Sequence, residues 1–221
     1  MIHLGSIGGT TIRVDLSFLI LVALFVATAY NPSLGIEYAL LWVPVLFISV
    51  LVHELAHAAM IAIFGYGASE IVLGGIGGVT MNNRRARPWQ DMLISIAGPL
   101  SSFGLAILFG FLERVDFVQR DKMLVNLVPM LRTMNIWWGY FNLIPVSPLD
   151  GGQAIRNFLR MFLSERTAFV IAVWVGIVVG TVVAIIGFKS GLFFVALLIA
   201  WYVYSNFQQW QYFREHGYPG D

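Results

Sequence analysis

Long apolar runs restrict the fold of this chain more than any other feature of its sequence. A helix needs roughly 20 apolar residues to cross about 30 Å of hydrocarbon. Six stretches meet or approach that length, at about Leu16–Tyr30, Ile36–Phe64, Met92–Leu112, Met123–Ile144, Thr167–Phe188 and Gly191–Phe207. We therefore predict an all-α polytopic membrane protein with about six transmembrane helices, short loops and no separate soluble domain.

The composition agrees with this prediction and excludes several classes of function. Only 11% of the 221 residues are charged, whereas a soluble protein carries about 25%. Thirteen Lys and Arg against twelve Asp and Glu give a net charge of +1, so no strong electrostatic field attracts nucleic acid. The lack of cysteine excludes a disulfide scaffold, thiolate catalysis and a cysteine-ligated metal.

Short β elements are predicted near the membrane in two places. The alternating apolar residues at about residues 1–15 predict one or two surface strands. Farther along, the β-favouring runs Ile71–Leu73 and Val79–Met81 flank the interrupting stretch Gly74–Gly78, which predicts a hairpin around a glycine-rich turn. A dinucleotide-binding loop would need the order G-x-G-x-x-G between a strand and a helix, and this stretch lacks it.

An H-E-x-x-H pattern lies inside the second apolar stretch, where it places His53, Glu54 and His57 on one helix. Residues four apart share a helical face, so both imidazoles can bind one metal ion. Glu54 then lies beside the metal, where it can act as a general base. A charged residue at bilayer depth costs about 2.5–3.5 kcal/mol on insertion scales, so three ionisable groups in five positions indicate a function. A buried polar cluster that only holds helices together is the alternative.

A catalytic zinc takes three protein ligands and keeps one position open, so a third ligand is needed. His3 and His216 lie at the chain ends, and Asp150 stands apart among the acids because it follows a broken helix. Pro145 and Pro148 break that helix, and two following glycines are expected to let the backbone turn sharply after the acid. A broken helix that lines a cavity can present a polar group within a membrane. We predict that Asp150 is the third ligand.

The pairing of H-E-x-x-H with the later segment Asn142–Gly152 resembles the site-2 protease family of intramembrane zinc metalloproteases. Ala97–Pro99 early in the third apolar stretch is similar to a further motif of that family. The Gly74–Gly78 hairpin resembles the membrane-associated β-loop that the family uses near its substrate. The resemblance covers the chain from about Leu16 to Arg156.

The resemblance implies a role for each matching residue. His53, His57 and Asp150 match the ligands of one Zn²⁺ per chain, and Glu54 matches the catalytic acid/base. Asn142 matches an asparagine that holds the substrate or stabilises the oxyanion, although a helix cap or an interhelical hydrogen bond is an alternative role. The implied activity is regulated intramembrane proteolysis, in which Glu-assisted attack of zinc-bound water hydrolyses peptide bonds in transmembrane segments of membrane-protein substrates.

The resemblance also implies one integral membrane protease domain over residues 1–221. Its three-helix catalytic core would occupy about residues 36–152, with N-terminal surface strands at about 1–15 and flanking, gating helices at about 167–207. Unlike larger relatives, the chain is expected to lack PDZ and CBS domains.

Loop charges predict the orientation, because Lys and Arg accumulate on the cytoplasmic side of membrane proteins. The side that holds the termini carries eight cations and the opposite side four: Arg13, Arg84, Arg85, Arg87, Arg156, Arg160, Arg166 and Arg214 against Arg114, Arg120, Lys122 and Lys189. We predict a multi-pass protein of the cell membrane with cytosolic termini. Its expected partners are the lipid bilayer and single-pass membrane-protein substrates such as membrane-anchored regulators, not nucleic acid.

Two other functions compete with proteolysis. A metal-ion transporter or channel could use the His/Glu/Asp cluster as a cation site, but transporters often contain paired broken helices, and here one broken segment occurs without a second copy. An inactive relative that binds membrane proteins would lack Glu54 or a ligand, and all four residues are present.

Gly176 and Gly180 form a G-x-x-x-G pattern, which favours close packing within the chain over a dimer contact.

Overall fold

The computed structural model describes residues 1–82 and 86–217, which divide into two compact units. The first unit contains residues 1–82 and 97–139, and the second contains residues 86–96 and 140–217. Arg84 and Arg85, two of the cations used to predict the orientation, lie outside the described residues. Along the described chain the elements are β1 Ile2–Ile7, β2 Thr10–Val14, α1 Leu16–Ala29, α2 Gly35–Leu40, α3 Trp42–Ile63, β3 Glu70–Gly74, β4 Gly77–Met81, α4 Pro88–Leu112, α5 Asp116–Arg120, α6 Leu124–Asn142, α7 Asp150–Leu159, α8 Glu165–Lys189 and α9 Phe193–His216.

Apolar helices dominate the structure, as predicted. Within the described residues, three helical segments are long and apolar enough to cross a membrane: Gly35–Ile63, which joins α2 and α3, and the helices α4 and α8. Helix α1 has only 14 residues, or about 21 Å at 1.5 Å per residue, which is short of a full span. The mostly helical membrane fold is therefore confirmed, whereas the count of six spans stays a prediction.

The two predicted β regions join into one four-stranded sheet in the order β1-β2-β3-β4. Strands β2 and β3 are parallel, and the other neighbours are antiparallel. The sequence predicted that Gly74–Gly78 would interrupt the hairpin, but β3 and β4 run through most of it and pair Gly74 with Gly77. Only Gly75 and Ile76 remain between the strands. Glycine is needed at 77 and 78 in β4 because side chains of Trp138 and Glu54 would lie 3.1 Å and 2.2 Å from a Cβ there.

Hydrogen bonds at Asp15 link the sheet to the start of α1. The backbone N–H of Asp15 donates to the carbonyl of Leu73 at 2.8 Å, and its carboxylate caps α1 by accepting from the Ser17 N–H at 3.0 Å. The backbone N–H of Gly75 in turn donates to the Ser17 hydroxyl at 3.0 Å. Hydrogen bonds from the Ser17 hydroxyl and N–H lower the pKa of Asp15, so the cap stays ionised at neutral pH.

The core of the first unit fixes α3 against the sheet. Val45, Leu46 and Val50 of α3 and Ile71 and Leu73 of β3 are each at most 1% exposed. Within a bilayer, close van der Waals packing of such side chains holds the elements together, because lipid is as apolar as the protein core. The side-chain amide of Asn135 on α6 adds a polar link by donating to the Ser49 hydroxyl of α3 at 2.9 Å. The helix that carries H-E-x-x-H is therefore held on two sides.

In the second unit the loop between α6 and α7 packs against α8 and α9 at two glycines. A Cβ on Gly176 would lie 3.0 Å from the carbonyl oxygen of Pro145, and one on Gly180 would lie 2.5 Å from Val203 and 2.9 Å from Val146. The G-x-x-x-G pattern thus serves close packing within the chain, as predicted.

Candidate metal centre

His53, Glu54 and His57 lie on α3 in a buried part of the first unit, with exposures of 2%, 4% and 7%. The four-residue spacing places the two rings on one helical face, and their Nε2 atoms are 3.2 Å apart. Polar side chains that are buried so completely need polar partners or a metal ion, because leaving them unsatisfied costs free energy.

The separation of the two imidazole nitrogens fits a shared zinc ion. Two nitrogen ligands at 2.0–2.1 Å from a tetrahedral zinc lie about 3.3–3.4 Å apart, close to the 3.2 Å between Nε2 of His53 and Nε2 of His57. Neutral imidazoles are also a preferred ligand type for zinc. The donor set and its spacing therefore suit this metal.

Helix α4 contacts both imidazoles through Ser102 and Gly98. The Ser102 hydroxyl, which is fully buried, lies 3.1 Å from Nδ1 of His53. A proton on Nδ1 that is shared with this hydroxyl leaves Nε2 as the ligand atom. One helical turn earlier, a Cβ on Gly98 would lie 2.3 Å from Nε2 of His57 and 2.6 Å from Nε2 of His53. Gly98 is therefore required for α4 to approach both rings.

Strand β4 contacts the carboxylate of Glu54. The Thr80 hydroxyl donates to Oε2 of Glu54 at 2.8 Å and lies 3.1 Å from the Glu54 carbonyl oxygen. A Cβ on Gly78 would lie 2.2–2.6 Å from the Cγ, Cδ and Oε1 atoms of Glu54. Gly77 meanwhile packs against the ring of Trp138, whose centroid is 6.3 Å from that of His53. The hairpin thus forms one wall around the acid.

Asp150 is the first residue of α7 in the second unit, directly after the predicted helix break. The two glycines behind it correct the sequence prediction, because Gly151 and Gly152 are helical and buried and make no sharp turn. A Cβ on Gly151 would lie 2.2 Å from the Leu143 carbonyl oxygen, and one on Gly152 would lie 2.5 Å from the Ser147 nitrogen. They let α7 pack directly onto the preceding loop. His53, His57 and Asp150 are a group of side chains that could hold a metal ion.

The remaining candidates are Asn142, His3 and His216. Asn142 is the last residue of α6 and is 9% exposed, so it is buried as a polar residue, and its role stays a prediction. His3 on β1 and His216 at the end of α9 are exposed, and His216 stacks on Tyr212.

Sequence reasoning did not single out Ser102, Thr80 or the contacts of Gly78 and Gly98. The available signal was spacing: Ser102 follows Gly98 by four residues in a helix, and Thr80 follows Gly78 by two in a strand. In each pair both residues share one face of the element.

Comparison with known proteins finds similarity to metalloproteases. A family model described as Peptidase M50B-like matches residues 17–146. A zinc metalloprotease of Methanocaldococcus jannaschii is 29% identical over 214 residues, which cover 94% of this chain and 60% of that protein. Rip3 of Mycobacterium tuberculosis, named as a candidate zinc metalloprotease, is 34% identical over 170 residues, which cover 72% of this chain and 43% of that protein. The chain thus spans roughly half the length of these two relatives.

A solved structure is similar over nearly the whole chain. The site-2 protease from Methanocaldococcus jannaschii matches with a TM-score of 0.66 and 26% sequence identity, covering 94% of both chains.

Proposed function

The chain belongs to the Peptidase M50B-like family of site-2 proteases, and from this premise we propose that it is an intramembrane zinc metalloprotease. The observation that carries the proposal is the pair of buried imidazoles, with Nε2 atoms 3.2 Å apart, next to a buried glutamate on the same helix. A pair of ligands and an adjacent acid/base are the parts that metal-assisted hydrolysis of an amide requires.

His53, His57 and Asp150 would hold the zinc ion. This assignment is supported by the fit of the two imidazoles and by the grouping of the three side chains. A bound zinc lowers the pKa of a water ligand to about 7 and polarises a carbonyl oxygen. A protein side chain must then transfer the protons.

Glu54 is the residue proposed to move the proton. Its carboxylate accepts a proton from the attacking water and delivers it to the leaving amide nitrogen. Asn142 is proposed to donate a hydrogen bond to the substrate carbonyl as negative charge develops on that oxygen. The low exposure of Glu54 and Asn142, 4% and 9%, supports both roles because electrostatic interactions are stronger where bulk water is excluded.

The proposed substrates are transmembrane segments of single-pass membrane proteins. In support, His53 and Glu54 lie within Gly35–Ile63, a segment long and apolar enough to cross a bilayer. A membrane helix must unwind before its amides can be cut, and β4 is an edge strand of the sheet beside Glu54. An extended substrate that pairs with β4 would regain backbone hydrogen bonds there. The proposal includes cytosolic termini and six spans, with α6 and α9 crossing the bilayer and the 14-residue α1 crossing where the bilayer thins locally to match its length.

Replacing Glu54 with Gln tests this function. The purified protein and the Glu54→Gln variant are reconstituted in liposomes with a reporter helix, and cleavage and zinc content are measured. We expect one zinc per chain in both proteins and cleavage only by the unsubstituted one. Glu215→Gln, on an exposed side chain near the end of α9, is the matched control and should cleave normally. Transport of zinc into the liposomes without any cleavage would instead favour the transporter.

A further inference from the structure

Strand β4 has two faces of different character. Gly78 and Thr80 lie against Glu54, whereas Val79 and Met81 alternate with them and are 58% and 48% exposed. This alternation follows from the two-residue period of a strand. The inward face thus consists of one residue without a side chain and one hydroxyl, both in contact with Glu54.

We propose that Thr80 is a positioning residue that fixes the carboxylate of Glu54 for proton transfer, an inference that rests on the proposed function. The Thr80 hydroxyl donates to Oε2 of Glu54 at 2.8 Å. A glutamate side chain has three rotatable bonds, and a donor at one carboxylate oxygen selects one arrangement of them. Hydrogen bonds to a charged group are the stronger kind, typically with about twice the strength of neutral ones.

The contact at Gly78 restricts Glu54 from the same strand. A Cβ at Gly78 would lie 2.2 Å from Cγ and 2.5 Å from Cδ of Glu54, so the β4 backbone itself packs against the side chain. The carboxylate is thus confined by the backbone at Gly78 and oriented by the hydroxyl at Thr80. Because both residues lie on β4, the strand proposed to pair with substrate also positions the acid/base.

The hydroxyl and the packing of Thr80 can be separated by substitution. Thr80→Val keeps the β-branched shape and removes the donor, whereas Thr80→Ser keeps the donor and removes a methyl group. A residue that served only packing would tolerate valine better than serine. A residue that positions Glu54 through its hydroxyl should instead tolerate serine better than valine.

The test measures kcat and KM for a reporter helix in liposomes, together with zinc per chain and the thermal unfolding midpoint. We expect Thr80→Val to lower kcat by about tenfold or more, the usual scale of effect when a hydrogen bond to a charged group is lost. KM should stay within about twofold, because a positioning role acts on the transition state rather than on substrate binding. Thr80→Ser should recover most of kcat, and zinc content should not change in either variant. Thr11→Val, on β2 of the same sheet, is the matched control and should leave kcat unchanged.

Each outcome decides the inference. If the unsubstituted protein shows Glu54-dependent cleavage and Thr80→Val keeps its kcat, Thr80 does not position Glu54. Loss of zinc from Thr80→Val would also overturn the inference, because the residue would then act on the metal ligands. If Thr80→Val does not fold, Thr80→Ala replaces it, and equal kcat values for Ala and Ser would overturn the inference. Absence of Glu54-dependent cleavage in the unsubstituted protein would instead refute the proposed function.

Discussion

The substitution Gly98→Ala is expected to remove zinc from the protein while leaving it folded. Gly98 lies in the middle of α4, where its missing side chain allows the helix to approach both imidazoles of the candidate metal centre. A Cβ at this position would lie 2.3 Å from Nε2 of His57 and 2.6 Å from Nε2 of His53. The added methyl group is thus directed at the two atoms proposed to bind the metal.

The size of the displacement follows from these distances. An ordinary van der Waals contact of a Cβ begins at 3.4 Å, so the His57 ring must move by about 1.1 Å relative to α4. Metal sites tolerate deviations of about 0.2 Å in ligand distance. The required movement is about five times larger, so we expect zinc to be lost and cleavage to fall by at least about 100-fold.

The fold should survive this change because a gain in helix propensity offsets part of the cost of overpacking. Overpacking a well-packed site typically costs about 1–3 kcal/mol, whereas replacing glycine by alanine inside a helix gains about 1 kcal/mol. The imidazoles can also rotate away once no metal holds them. A small shift of the thermal unfolding midpoint, without loss of helical circular dichroism, is the expected result.

Gly104→Ala is the matched control on the same helix. A Cβ at Gly104 meets no atom within 4 Å, so only the change in helix propensity remains. Zinc per chain is measured by elemental analysis after dialysis against a weak chelator, and activity is measured with the reporter helix. A Gly98→Ala variant that retains one zinc and full activity would refute the reasoning. Zinc loss from both variants would show that alanine perturbs α4 in general.

Two further substitutions test the supports of the candidate centre. Ser102→Ala should weaken zinc affinity about 10–100-fold, as expected for the loss of a hydrogen bond to a metal ligand. Competition with a chromogenic chelator measures this affinity. Ser101→Ala is the control, because the Ser101 hydroxyl donates to the Gly98 carbonyl of its own helix. Asn206→Leu removes the donor to the Ser147 carbonyl at 2.6 Å and should lower the free energy of unfolding by about 1–3 kcal/mol. Thermal unfolding in detergent measures this effect against Gln208→Leu on the exposed side of α9, and equal midpoints would contradict it.

The parts of the structure that depend on local spacing could be predicted from the sequence. The positions of His53 and His57 on one face follow from the helical period, and the apolar pattern marks the helix that carries them. The end of α6 before Asp150 was predictable too, because Pro145 and Pro148 cannot continue a helix. These features need no knowledge of what lies across the fold.

The glycines show where such prediction fails. The sequence predicts a sharp turn at Gly151 and Gly152. Glycine is instead required there because the Leu143 carbonyl and the Ser147 nitrogen lie too close for a Cβ. Gly78 is predicted to lie in a turn, but glycine is required there because the side chain of Glu54 leaves no space for a Cβ. A glycine required by conformation and one required by close approach look alike in a sequence. Only the contacts made through the fold separate them.

The same arrangement occurs on two different elements around the polar residues of α3. On β4 a glycine at 78 approaches Glu54, and the hydroxyl of Thr80 follows at the two-residue period of a strand. On α4 a glycine at 98 approaches the imidazoles, and the hydroxyl of Ser102 follows one helical turn later.

This repetition has a physical reason. At each glycine the space next to the polar side chain is smaller than a methyl group, so no water molecule fits between the backbone and α3 on those sides. Buried polar groups that water cannot reach need protein partners, and the adjacent hydroxyls supply them. The close approach of each glycine excludes water from the polar side chain, which then needs a hydrogen-bond partner from the protein. The period of the strand or helix places a hydroxyl on the same face as the glycine, where it meets that side chain.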